Sequence, residues 1–433
     1  MYFDEKNECM SRDELTQLQL ERLQSTLYRL SRNVPFYKKK FEDLELDVDD
    51  LRSLDDVRRL PFTTKNDLRD NYPYGMFAVP MREVVRLHAS SGTTGKAVVV
   101  GYTKNDVRRW AQLAARVLTA GGVTKDDVVQ IAFGYGLFTG GFGFHYGAEL
   151  LGASVIPSSS GNTRRQIQII EDYKTTALLC TPGYALYLAE AMHTQGINTN
   201  ALTLKHGLFG GETWSEGVRQ RIQDGLKLTA TDNYGLSEIM GPGVAGECLE
   251  RRGLHINEDH FLAEIIDPET LEPVAPGEVG ELVLTTLTKE AFPMLRFRTG
   301  DLTRLIPGQC PCGRIHQRMD RVQGRTDDMF ILKGINVYPK QVENVLAEIE
   351  GVDPCFQIIL ELDGVLDKGT VLVEAATDEF FDEIKKHQQM CASIRKRLES
   401  VLGVGFDVRI VERASLFDTN ACKIQRVLDK RKI

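Results

Sequence analysis

The sequence has no extended basic stripe, no internal repeat, no low-complexity segment and no long apolar run free of glycine. Its formal net charge is −8, so nucleic acid and anionic membrane surfaces are excluded as main partners. An anionic ligand must then be held locally, by loops and single cations. The most apolar stretch, Val128 to Ala148, lacks Asp, Glu, Lys and Arg but carries six glycines and a histidine. That pattern is a buried strand followed by a glycine-rich loop, not a membrane span. The chain opens on Met1-Tyr2-Phe3-Asp4-Glu5, with no apolar core of a secretory signal. Its eight cysteines are scattered apart from Cys310 and Cys312, so most are expected reduced and the expected compartment is the cytoplasm.

A chain of 433 residues is too long for one compact core, and at least two domains are expected. Residues 11–60 carry Leu, Arg and Asp at helical spacing. Thr103 is placed to cap a helix that Gly121-Gly122 ends. From Val128 strands and helices alternate: strands at 128–133, 154–156, 177–180, 206–209 and 228–233, helices at 164–173, 184–195 and 216–226. Such alternation predicts a parallel sheet covered on both faces. Residues from about 245 to 326 are β-rich, with strands at 261–266, 280–286 and 301–305. After Arg325 the order becomes βαββαβ, that of a ferredoxin-like α+β unit. The boundary is therefore placed between 1–326 and 327–433.

The run Ser90-Ser91-Gly92-Thr93-Thr94-Gly95-Lys96 offers backbone N–H groups, hydroxyls and one cation, the chemistry of a phosphate cradle. It is not a Walker A loop, because only two residues separate Gly92 from Gly95 and no Ser or Thr follows Lys96. Asp232-Asn233-Tyr234-Gly235-Leu236-Ser237-Glu238 follows a predicted strand, where open α/β sheets bind ligands. Tyr234 can stack on a base, and Glu238 can hold Mg²⁺ beside phosphates. Thr299-Gly300-Asp301 closes a strand, and Asp301 can accept from ribose hydroxyls. Gly324-Arg325-Thr326-Asp327-Asp328 sits at the predicted boundary, with Arg325 facing ribose or phosphate and Asp327 as pivot. Each of these also has a plain structural reading, as a surface turn, a solvated linker or a surface lysine at Lys423.

Cys248, His255, Cys310 and Cys312 form a candidate structural Cys₃His zinc site. Against it, Cys-x-Cys is less usual than Cys-x-x-Cys, and reduced unliganded thiols are the alternative. His88, His145, His193, His206 and His316 receive no role.

In combination, the hydroxyl-rich loop, Tyr-Gly-Leu-Ser-Glu, Thr-Gly-Asp, Gly-Arg-x-Asp-Asp and a late lysine resemble the adenylate-forming superfamily along the whole chain. Gly134-Tyr135-Gly136-Leu137-Phe138-Thr139-Gly140-Gly141, Gly253–Phe261 and Gly334–Pro339 are similar to the phenylacetate–CoA ligase family within it. The resemblance implies a large adenylate-forming domain and a small C-terminal domain. It implies ATP, Mg²⁺ and coenzyme A as cofactors, a small aryl carboxylate as substrate, and a homodimer. Gly211 and Glu212 join the nucleotide contacts by the same resemblance. Tyr135, Phe138, Phe142 and Gly211 are the expected walls of the acyl pocket. Lys423 is the expected bridge between carboxylate and α-phosphate, matched through Ile424-Gln425-Arg426-Val427. The approach Asp418–Cys422 departs from the Pro/Gly-containing one usual in the superfamily. Two other readings stay open: an adenylating enzyme that loads a carrier protein, and a non-catalytic nucleotide-binding regulator on the same fold.

Overall fold

A computed structural model of the chain describes residues 1–89, 98–326, 330–332, 335–349, 351–363, 366–375, 384–412, 415–416 and 426–431. Helices come first: α1 (Glu5–Glu8), α2 (Arg12–Asn33), α3 (Pro35–Asp43) and α4 (Lys65–Asp70). A reciprocal capping box of Ser11 with Glu14 starts α2, and Pro35 opens α3 where its missing N–H costs nothing. Strands β1 (Val84–Ala89) and β2 (Val99–Thr103) pair antiparallel. Thr103 caps α5 (Lys104–Ala120) as expected, in a box with Asp106.

The alternating region follows: β3 (Val128–Ile131), α6 (Gly140–Leu151), β4 (Ser154–Ile156), α7 (Thr163–Asp172), β5 (Ala177–Cys180), α8 (Pro182–Thr194), β6 (His206–Gly210), α9 (Glu216–Leu226) and β7 (Thr229–Leu236). Next come β8 (Gly241–Glu247), β9 (Leu254–Ile256), β10 (Phe261–Ile266), β11 (Gly280–Thr286), β12 (Phe297–Thr303), β13 (Leu305–Ile306) and β14 (Arg318–Met319).

The chain divides into two compact units. The first holds residues 1–180, 198–211 and 227–321. Its largest sheet has the order β13-β14-β9-β8-β7-β6-β5-β3-β4. Strands β7, β6, β5, β3 and β4 run parallel, and β8, β9, β14 and β13 extend the sheet antiparallel. Among the parallel strands, β5 is apolar and buried along its whole length, as expected of a strand covered on both faces. Val117 and Leu118 of α5 and Phe144 and Ala148 of α6 pack on Val129, Ile131, Leu179 and Leu208 of the sheet. Strands β10, β11 and β12 form a separate antiparallel sheet.

Two strands differ from the sequence expectation. Strand β7 continues to Leu236 instead of ending at Asn233, because Gly235 lets β8 approach: a Cβ there would strike the Gly241 carbonyl. Thr299-Gly300-Asp301 lies inside β12, not at a strand-closing turn. Gly300 takes φ 79°, and the β11–β12 register shifts beside it between Glu281 and Val283, so the segment is a bulge.

The second unit holds residues 181–197, 212–226 and 322–433. It contains α8, α9, β15 (Gly324–Arg325), the hairpin β16 (Phe330–Leu332) with β17 (Ile335–Val337), α10 (Pro339–Ala347), β18 (Val352–Asp363), β19 (Leu366–Ala375), α11 (Ile384–Leu402), β20 (Asp407–Val411) and β21 (Val427–Asp429). Its four-stranded sheet has the order β20-β19-β18-β21, with β18–β19 antiparallel and the outer pairs parallel. The strand expected to open the βαββαβ order pairs instead in the β16–β17 hairpin. Helices α10 and α11 and this sheet share one core around Leu346, Ile358, Val371 and Leu398. No helix among the described residues is long and apolar enough to cross a membrane.

Candidate active site

The C-terminal ends of parallel strands β3, β6 and β7 open on one edge of the first unit's sheet, the position at which open α/β sheets take ligands. Three sequence-predicted groups leave from that edge. Tyr135 to Phe142 follow β3, Gly211 follows β6 with φ 82°, and Asp232 to Glu238 run through the end of β7.

The Tyr234 hydroxyl donates to Asp301 Oδ2 at 2.6 Å, so the bulge in β12 brings two distant motifs together. Both side chains are buried. Asp301 N–H donates to the Thr299 hydroxyl at 3.0 Å, which fixes the bulge from within. Asn233 donates from Nδ2 to the Phe209 carbonyl at 3.2 Å, while its Oδ1 is buried with no donor among the described residues. Glu247 Oε2 accepts from the Asp232 N–H at 2.8 Å, and Arg321 Nε lies 3.9 Å from the Asp232 carboxylate.

Glu238 sits in the turn between β7 and β8. Two side chains that sequence reasoning missed hold that turn. Lys289 Nζ donates to the Ile239 carbonyl at 2.9 Å, and the Tyr102 hydroxyl donates to the Met240 carbonyl at 3.0 Å. Lys289 is buried, lies 4.3 Å above the Tyr102 ring, and has its pKa pushed down to about 8 by burial, against the pull of Asp106 and Glu238. Ser237 and Thr139 share a hydroxyl contact of 3.1 Å, which ties the start of α6 to the same turn.

Among the expected pocket residues, Tyr135 and Phe142 meet edge to face, 5.2 Å between centroids. The Tyr135 hydroxyl lies 3.2 Å from His145 Nδ1, and burial raises its pKa. Phe142 stacks on Tyr146, and the Arg86 guanidinium covers both rings. Phe138 stands apart from this layer, exposed and loosely against Phe133. In the second unit, Glu212 Oε2 accepts from Gly183 N–H at 3.3 Å, and Arg325 is half-buried on β15. The loop Ser90–Lys96, the pivot candidate Asp327 and Lys423 lie outside the described residues.

Comparison with known proteins places this geometry. A model of the AMP-binding enzyme family matches residues 44–287, and one of the AMP-binding enzyme C-terminal domain matches residues 334–431. The phenylacetate-coenzyme A ligase of Thermus thermophilus is 45% identical over 100% of both chains. That of Escherichia coli is 48% identical over 98% of this chain and 97% of its own.

The chain belongs to the phenylacetate-coenzyme A ligase family of AMP-binding enzymes.

Solved structures agree on the family fold. A 2-hydroxyisobutyryl-CoA ligase in the postadenylation state, in complex with R3-HIB-AMP, is 28% identical with a TM-score of 0.90, over 99% of this chain and 92% of its own. The same ligase in complex with 2-HIB-AMP and CoA is 29% identical with a TM-score of 0.73, over 100% of this chain and 93% of its own.

The four residues singled out as metal ligands do come together. The ligand atoms of Cys248, His255, Cys310 and Cys312 all lie within 4.8 Å of one another. The long gap between His255 and Cys310 closes because β9 and β14 pair, His255 opposite Arg318.

A second group was not legible in the sequence. Arg116 on α5 clamps Asp259 with both nitrogens, at 2.8 and 3.1 Å, and reaches Asp4 at 2.7 Å. Burial alone would raise the Asp259 pKa, but His260 and Arg116 outweigh it and hold the carboxyl well below its ordinary range. Burial pushes His88, His206, His260 and His316 below the ordinary imidazole value of 6.5. The unfolded chain then binds these protons more readily, so stability is full above pH 6.5 and is lost as pH falls through the folded values. Each histidine adds a slope of up to about 1.4 kcal/mol per pH unit. The melting temperature is expected to drop from about pH 7 to about pH 5, and a flat calorimetric profile across that range would contradict the burial argument.

Proposed function

We propose that this chain activates phenylacetate with ATP and transfers the acyl group to coenzyme A, releasing pyrophosphate and AMP. The full-length identity to phenylacetate-coenzyme A ligases carries this reading. In the first step a carboxylate oxygen attacks the α-phosphorus and pyrophosphate leaves. In the second the CoA sulfur attacks the acyl carbon, loses its proton, and AMP leaves with the bonding pair.

The first step brings two anions together, so the chain must supply positive charge and donors. We assign that to the loop Ser90, Ser91, Gly92, Thr93, Thr94, Gly95 and Lys96 and to Lys423. Glu238 suits Mg²⁺: its carboxylate is held in a braced turn, and no described residue donates to it. When bound, that ion neutralises phosphate charge. Asn233 Oδ1, a buried acceptor with no donor among the described residues, suits the exocyclic amine of adenine. Asp301, positioned by Tyr234, suits the ribose hydroxyls. Gly211, Glu212, Asp232, Gly235, Ser237 and Arg325 complete the nucleotide contacts in this reading. Residues 327–433 act as a mobile domain that pivots at Asp327, bringing Lys423 in for adenylation and withdrawing it for thioester formation.

The Tyr135–Phe142 layer suits a flat ring, with Gly211 leaving it room. We also read the Cys/His tetrad as a structural zinc site, since four protein ligands leave no open position for chemistry. The described cysteines form no disulfide, which suits a reducing compartment, and we place the protein in the cytoplasm. A competition assay tests the substrate class: phenylacetate, benzoate, hexanoate and palmitate are mixed with ATP, Mg²⁺ and CoA, and the thioesters are read by mass spectrometry. Phenylacetyl-CoA is expected to dominate, and a dominant fatty acyl-CoA would contradict the aryl pocket.

A further inference from the structure

The Cys/His tetrad takes no part in the ligation, and its neighbours give it a job. Cys248 and Cys310 sulfurs are 3.7 Å apart, and Cys312 Sγ is 3.4 Å from His255 Nε2. A disulfide needs about 2 Å. A tetrahedral zinc with Zn–S near 2.3 Å and Zn–N near 2.0 Å spaces its ligands at about 3.8 and 3.5 Å. These two edges match those of a zinc tetrahedron and are too long for a disulfide, and all four ligand atoms lie within 4.8 Å of one another. Nε2 is the histidine nitrogen that faces the sulfurs, while Nδ1 is buried without a partner among the described residues.

The residues that follow the last ligand do not turn to solvent. They grip the first eight residues of the chain. The Cys312 carbonyl accepts from the Tyr2 hydroxyl at 2.7 Å. Gly313, at φ 85°, passes so close that a Cβ would strike that hydroxyl. Arg314 donates to Glu8 Oε2 at 2.6 Å and to the Met1 carbonyl at 2.8 Å. Ile315 N–H donates to the Glu8 carbonyl at 3.0 Å, and His316 Nε2 lies 3.1 Å from the Asn7 carbonyl. Glu8 is buried and in turn accepts from the N–H groups of Phe3 and Asp4. The geometry of this clasp depends on where Cys310 and Cys312 are held, and the tetrad ties both to Cys248 and His255.

We propose that zinc in the Cys248–His255–Cys310–Cys312 site fastens the N-terminal segment Met1–Cys9 to the first unit. This rests on reading the tetrad as a zinc site and adds what the zinc does. Zinc draws the Cys310–Cys312 knuckle against Cys248 and His255, the knuckle presents residues 312–316, and these hold the segment. Removing the metal frees the segment locally and leaves the rest of the fold intact.

The test uses the full chain as purified, without added metal. Metal content is measured first, and hydrogen exchange is then followed by mass spectrometry before and after chelation. One zinc per chain is expected. After chelation, exchange in peptides covering residues 1–9 and 312–316 should rise on the order of tenfold or more, while β5, β6, β18 and β19 are unchanged. Adding zinc back restores the protection. No zinc, or another metal, in the purified protein overturns the reading of the tetrad itself. Zinc present with unchanged exchange at residues 1–9 after its removal keeps the site and overturns the fastening role. Loss of protection throughout the unit also overturns it, because the metal would then hold the whole fold. A Tyr2→Phe variant, which keeps all four ligands, should retain one zinc yet exchange faster at residues 1–9. Equal exchange to the parent protein would show that the knuckle does not act through Tyr2.

Discussion

Lys423→Ala is expected to lose adenylation by on the order of 10²–10³-fold and still convert preformed phenylacetyl-adenylate to the thioester. The asymmetry follows from charge. In the first step a carboxylate oxygen must approach an already anionic α-phosphate, and the cation that bridges them acts most strongly at the transition state. In the second step the attacking group is a thiol at a carbon centre, and the proposed pivot at Asp327 has withdrawn the lysine. Pyrophosphate–ATP exchange reads the first half-reaction, and thioester release from supplied adenylate reads the second. If both fell equally, the lysine would be serving a common structure and the two-position account would be wrong.

Arg116→Met is expected to be the most destabilising single change outside the reaction centre, by about 3–5 kcal/mol. Asp259 is fully buried, and Arg116 is its two-pronged partner. Removing the guanidinium leaves a buried carboxylate with Arg22, His260 and His316 as remaining neighbours. It also releases Asp4, on the same N-terminal segment that the knuckle grips. Denaturant unfolding measures the loss. Pairing the change with Asp259→Leu should recover part of it, because an apolar pair at a buried site costs less than one orphaned charge. A double variant no more stable than Arg116→Met would mean that packing of the arginine stem, not the charge, sets the cost.

Much of the fold was legible because its local signals agree. Thr103 and Asp106 form a capping box, the short strands between 128 and 210 are mostly apolar, and α9 spans Glu216–Leu226 as its periodicity required. The misreadings have particular causes. The Tyr-Gly-Leu stretch reads as a turn, but Gly235 exists to admit a neighbouring strand, and only the pairing with β8 reveals that. Thr-Gly-Asp also reads as a turn, yet Gly300 serves a bulge that aims Asp301 at Tyr234. In the C-terminal unit, β16 turned back on itself through β17, which left the four-stranded sheet to be completed by β21.

The site was legible where residues are chemically unusual and close in sequence, as with Tyr234 to Glu238. It was not legible where the contact spans the chain. Nothing near Glu8 announces Arg314, and nothing near Lys289 announces the Ile239 carbonyl. Such partners are ordinary residue types, and only the fold makes them specific. The Cys/His tetrad lies between these cases: Cys-x-Cys flagged it, and the β9–β14 pairing assembled it.

The central claim is a two-step ligation that couples one ATP to one thioester. Its most direct test incubates the protein with ATP, Mg²⁺, CoA and phenylacetate and quantifies AMP and phenylacetyl-CoA in the same sample. The account predicts equal amounts of the two, with both absent when phenylacetate is omitted. AMP without thioester would instead describe an enzyme that hands its adenylate to another acceptor. Bound ATP with no turnover of any carboxylate would describe a regulator, and either result would contradict the account.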